Sequence, residues 1–181
     1  MAVKKYIVLS ALGKDRPGFI NGISASITKA GGNIEMQRST RMADEFAAII
    51  LFSLTEEDRV QEVMASLREL GGEDCVVNVR EALSLPTGEE GGVRLYEMEA
   101  SGADQPGVVE AVTLVLYKEH VNVESMDYET ESAPMTGEHL FCMKAQLAVP
   151  EAVDIERLHG LLRELEAAWN FDILLRPRTD G

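Results

Sequence analysis

Apolar residues along this 181-residue chain fall into two alternating periods, and the order of those periods repeats. Residues 4–11 alternate in a β-rich composition and predict a first strand. Ile20, Ile23 and Ile27 then recur at helical spacing, so a helix opens at Pro17 and runs to about Lys29, where Gly31-Gly32 stops it. Strands follow at about 33–41 and 46–55, joined near 42–45. Val60, Val63, Leu67 and Leu70 mark a second amphipathic helix over 56–70, ended by Gly71-Gly72. Residues 75–82 form the last strand. The order is β-α-β-β-α-β, the split βαβ or ferredoxin-like unit.

The same order returns downstream. Strands are predicted at 93–101, 121–130, 138–149 and 171–176, with helices at 106–119 and 154–168. Ile20, Ile23 and Ile27 become Val109, Val112 and Leu116; Val60, Val63, Leu67 and Leu70 become Ile155, Leu158, Leu162 and Leu165. A segment at 132–137 lengthens the hairpin loop of the second copy only. The fold class is therefore α+β, with two antiparallel sheets. The first domain spans residues 1–83, a Gly-, Pro- and charge-rich linker 84–92, the second domain 93–176, and a loose tail 177–181. Each half is short enough for its stability to be marginal, so the halves are expected to bury surface against each other.

A matching stripe alone shows only a shared scaffold. A loop repeats as well: Gly13-Lys14-Asp15-Arg16-Pro17-Gly18 returns as Gly102-Ala103-Asp104-Gln105-Pro106-Gly107, and Asn33-Ile34-Glu35 returns at the same distance as Asn122-Val123-Glu124. The first N–H groups of a helix lack partners and carry partial positive charge, so a strand-to-helix loop can hold a small anion. Gly13 and Gly18 allow close approach of backbone, and Asn33 offers a donor and an acceptor. Together these meet the needs of a free amino acid. A plainer reading stands beside this one: Asp15 caps the helix, Pro17 starts it and Asn33 holds a turn. Generic capping, however, would tolerate Ser, Thr or Asn in place of the repeated Asp.

Charge and composition narrow the partners. The formal charge is −14, from 17 Lys and Arg against 31 Asp and Glu, with no basic cluster. That disfavours direct nucleic-acid contact and anionic membranes. Cys75 and Cys142 form no C-x-x-C pair, and with no signal peptide upstream they read as buried thiols of a reducing, cytoplasmic compartment. His120, His139 and His159 share no ligand spacing, and no G-x-S-x-G, phosphate loop or H-E-x-x-H is present. No catalytic residue, metal site or cofactor is therefore assigned. Arg16 with Asn33 superficially matches the pair that an acylphosphatase uses, but the phosphate loop is absent and Gln105 breaks the pair in the second copy.

Ala11-Leu12-Gly13-Lys14-Asp15-Arg16-Pro17-Gly18, Gly32-Asn33-Ile34-Glu35 and Glu45-Phe46 together resemble the start of an ACT domain of the glycine cleavage system transcriptional repressor type. Asp104-Gln105-Pro106-Gly107, Asn122-Val123 and the long hairpin loop before Leu140-Phe141 are similar to the second ACT domain of those tandem proteins. The resemblance implies regulation without catalysis, by binding a small amino acid or related metabolite. Contacts would come from Gly13, Asp15, Arg16, Gly18, Phe19 and Ile20 with Asn33, and from Gly102, Asp104, Gly107 and Val108 with Asn122. Gln105 in place of Arg predicts a weaker second site. The implied protein partner is a transcription factor, or an enzyme if the chain is a detached regulatory subunit. A homodimer or a tight intramolecular pairing of the two sheets is expected, with the strand at 33–41 as the apolar edge.

Overall fold

The computed structural model describes residues 4–55, 59–82, 92–132 and 137–178. The chain divides into two compact units, Met1–Thr87 and Gly88–Gly181. In the first, β1 (Lys5–Lys14), α1 (Phe19–Lys29), β2 (Asn33–Met42), β3 (Glu45–Leu54), α2 (Arg59–Gly71) and β4 (Cys75–Glu81) follow in order. The second repeats this as β5 (Val93–Ala103), α3 (Val108–Lys118), β6 (Asn122–Ser132), β7 (His139–Pro150), α4 (Ile155–Trp169) and β8 (Phe171–Pro177). The sheets have strand orders β2-β3-β1-β4 and β6-β7-β5-β8, with β1 and β5 each flanked by antiparallel neighbours. These are two ferredoxin-like units, as the repeat of periods predicts.

One face of each sheet is covered by its helices. Phe19, Ile23 and Ile27 stand four residues apart along α1, so they line one side of that helix. They meet Ile7, Leu9, Ile50 and Phe52, all fully buried. Val108, Val112 and Leu116 repeat the stripe in α3 and meet Met98, Phe141, Met143 and Leu147. Truncating a fully buried member such as Ile23 to Ala would cost about 2–5 kcal/mol.

Four details differ from the sequence expectation. Cys142 is exposed rather than buried, because it lies on the side of β7 away from the helices. β1 continues to Lys14, because Gly13 and Lys14 still pair with Phe46 and Glu45. The first helix of each unit starts at Phe19 or Val108 rather than at the proline, because Gly18 and Gly107 take the left-handed φ of 85° and 96°. Pro177 belongs to β8, and the Arg178 N–H donates to the Leu95 carbonyl, so the start of the expected tail is tied down. The expected linker lies outside the described residues except for Gly92, as do residues 133–136 of the long hairpin loop and 179–181 of the tail.

Candidate functional site at the two strand–helix loops

Each repeated loop carries the chain from the end of the central strand to the start of the first helix. In the second unit the Asp104 N–H donates to the His139 carbonyl at 2.8 Å, which fixes the loop to the neighbouring hairpin. In the first unit the Asp15 N–H donates to the Asp44 carbonyl at 2.9 Å. With the backbone so held, neither aspartate turns back to cap its helix: α1 and α3 have no side-chain cap. The contrast is α4, where Asp154 accepts from the N–H groups of Glu156 and Arg157. The capping reading of the two loop aspartates is therefore set aside.

The carboxylates instead face sideways. The Tyr128 hydroxyl donates to Asp104 Oδ1 at 2.6 Å, and the Tyr128 ring stacks on Phe141 at 5.6 Å. Burial, and then the Asp104 hydrogen bond, push the Tyr128 phenol up to about 12. In the first unit Arg41 takes the tyrosine's part, its Nε lying 3.4 Å from Asp15 Oδ2 on an exposed surface. Gly22 and Ala111 donate to the Gly18 and Gly107 carbonyls, so helical bonding begins there. The N–H groups of Ile20 and Asn21, and of Val109 and Glu110, precede that point and have no helical acceptor.

A cavity of about 680 Å³ opens on the second loop, lined by residues 104–110 with Thr113 and Tyr128. Tyr128 and Glu110 carry no repeat signal, since Ser39 and Asn21 hold those places in the first copy, whereas Thr113 and Ser24 both keep a hydroxyl that donates to the carbonyl four residues earlier. The one available signal for Tyr128 is its inward register opposite Met143, a polar-tipped aromatic on a core face.

Three groups of expected site residues serve packing instead. A Cβ on Gly13 would lie 2.2 Å from the Asp74 carbonyl oxygen, and one on Gly102 would lie 2.4 Å from Phe171 Cβ. These glycines let β4 and β8 approach. The Arg16 guanidinium donates to the Leu70 carbonyl near the end of α2 and lies over the Phe19 ring at 4.9 Å. Gln105 Nε2 makes the matching bond to the Trp169 carbonyl at the end of α4, at 2.8 Å. Arginine and glutamine thus do the same bracing task, which removes the reason for expecting a weaker second site. Phe19 and Val108 are core side chains and can offer a ligand only their backbone.

Asn33 and Asn122 do not join the loops of their own units. β2 runs parallel to β1, so its first residue lies at the other end of the sheet: Asn33 pairs with Ser53, which pairs with Tyr6. From Tyr6 to Lys14 the strand rises about 26 Å at ~3.3 Å per residue. The same topology separates Asn122 from Asp104. Both copies shift register just after this asparagine, at Glu35 and at Glu124. Glu35 is held there by Lys4 at 2.7 Å and the Ser53 hydroxyl at 2.6 Å. Lys4 first, then Ser53 and Asn33, bring its carboxyl down to about 2. The Arg16–Asn33 pair that a phosphate-cleaving site would need is not formed. Among the described residues no group of His, Cys, Asp and Glu is arranged to hold a metal ion.

Comparison with known proteins agrees with this architecture. The family model described as the ACT domain matches residues 5–74. The glycine cleavage system transcriptional repressor of Escherichia coli is 25% identical over 99% of this chain and 96% of its own length. A UPF0237 protein of Methanopyrus kandleri is 34% identical over 39% of this chain and 82% of its own length. The crystal structure of an unknown protein from Galdieria sulphuraria superposes with a TM-score of 0.87 at 29% identity, covering 98% of this chain and all of that one. No described helix is long and apolar enough to cross a membrane.

Proposed function

This chain belongs to the ACT-domain family, and from that premise we propose that it is a non-catalytic regulator that binds a small amino acid at its strand–helix loops and acts through a protein partner. The observation that carries the reading is the pair of uncapped helix starts beside an aspartate that is held away from them. Backbone N–H groups of the first turn suit a carboxylate. The carboxylate of Asp15 or Asp104, oriented by Arg41 or by Tyr128, suits an ammonium group. An α-amino acid carries both charges on neighbouring atoms. The ligand-contacting set is thus Asp15, Gly18 and Ile20 in the first unit and Asp104, Gly107, Val109, Thr113 and Tyr128 in the second.

The kinship with a transcriptional repressor supports a transcription factor of amino-acid metabolism as the partner. The charge of −14 supports control through that partner rather than through direct DNA contact. A thermal-shift screen against the twenty amino acids tests the reading. A ligand of the folded state at a hundredfold excess over its Kd adds about 2.7 kcal/mol of stability. One small amino acid is expected to raise the melting temperature in wild type and to lose its effect when Asp15 and Asp104 are both replaced by Ala. No shift with any of the twenty would defeat the proposal.

A further inference from the structure

The two sheets repeat each other on their covered faces and diverge on their open ones. Strand register places Val8, Leu12, Ile49, Leu51 and Val76 on the side of the first sheet away from its helices. Leu12 sits between Ala47 and Val76, Val8 opposite Leu51, and Ile49 opposite Ser10, so the apolar positions are contiguous. Leu12, Ile49 and Val76 are 59%, 61% and 65% exposed. The matching register positions of the second sheet are Ser101, Lys144 and Asp172, with Glu97 in place of Val8. There Arg176 bridges Glu97 at 3.2 Å and Glu99 at 3.1 Å, as a solvated face would. Leu140 and Leu174, 41% and 51% exposed, are apolar on that side, but Leu12, Ile49 and Val76 have polar counterparts, so folding does not demand their apolar side chains. A contiguous apolar patch of this kind marks an interaction surface.

We propose that the open face of the first sheet packs on the same face of a second copy, forming a two-fold dimer. Its layout is that of an interface: most of the apolar residues lie on the inner strands β1 and β3, while Arg38 and Arg80 stand on the outer strands β2 and β4. The rim carries both signs, because Glu45 shares the open side with Ile49 at the hairpin end and Glu35 reaches the open-side Ser53 at the other. Sheets pack face to face with strands within about 30° of each other, and a flat apolar face can match itself about a two-fold axis. Four strands about 4.8 Å apart and about 23 Å long cover ~440 Å² in projection. Two copies therefore bury on the order of 1,000 Å², the size of a weak, reversible dimer. The contact uses the face of the sheet, whereas the sequence suggested the edge of β2. It stands independently of the amino-acid site.

Sedimentation across roughly 1–200 µM protein reads it directly, a range that brackets a micromolar Kd. Wild type is expected to pass from monomer to dimer in this range. Ile49→Lys and Val76→Asp install residues that the second unit itself carries, so the fold is expected to survive, as circular dichroism and the melting temperature will show. Either change should raise the dimer Kd at least tenfold, while Lys144→Ala on the second sheet should leave it within twofold. If one face variant fails to fold, the other decides. A wild-type chain that stays monomeric throughout overturns the proposal and leaves the face to a different protein. A folded face variant that dimerises like wild type overturns it too.

Discussion

Glu35 shows how a residue can look like part of a binding motif and serve the fold. It follows the repeated Asn-Ile and sits at a register shift, where an unpaired residue needs holding. Lys4, Ser53 and Asn33 hold it, and its carboxyl falls from its ordinary 4.5 to about 2. A depressed carboxyl stabilises the folded state above its unfolded pKa and loses that contribution as pH falls through the folded value. The melting temperature of wild type should therefore exceed that of Glu35→Gln by a constant margin above pH ~5, and the margin should close between about pH 4.5 and 2. A margin unchanged down to pH ~2 would show that the contacts do not favour the ionised form.

At the scale of elements, the Asp-x-Pro-Gly loop is a joint with two separable tasks. Its second residue ties the loop to the end of the second helix, through Arg16 to Leu70 in one unit and Gln105 to Trp169 in the other. Arg16→Gln should then be nearly neutral, whereas Arg16→Ala should cost about 0.5–1.5 kcal/mol, the net worth of one hydrogen bond. Chemical denaturation measures both; equal losses would mean that the guanidinium has a role of its own. The elements themselves were legible in the sequence, because apolar stripes such as Ile20-Ile23-Ile27 and Val109-Val112-Leu116 have an unmistakable helical period. The helices start two residues after the prolines, since Pro17 and Pro106 suit a first turn but Gly18 and Gly107 take the left-handed conformation that precedes it here. The candidate site was half legible. Loop identity and repeat are sequence properties, but the separation of Asn33 from Asp15 follows from β2 running parallel to β1. Equal spacing in sequence says nothing of that direction. The role of Tyr128 was hidden because only register places it beside Asp104.

For the whole molecule, duplication explains what is shared and divergence points to what each copy was free to change. Both units keep the core, the bulge after the first asparagine of β2 and β6, the brace and the uncapped helix start. They differ in the partner of the loop aspartate and in the open sheet face. On the proposed reading, the loops would take ligand while the open face of the first sheet meets a second copy. The amino-acid site is the central claim, and calorimetric titration tests it most directly. The amino acid that gives the largest thermal shift would be titrated into wild type, Asp15→Ala/Asp104→Ala and Asp154→Ala. Asp154→Ala removes a true helix cap, costs about 1 kcal/mol of stability and should leave ligand affinity unchanged. The double loop variant should remain folded and lose binding, because the ammonium group loses its carboxylate in both units. Wild-type affinity in the folded double variant would contradict the account and return the repeated loops to a purely structural role.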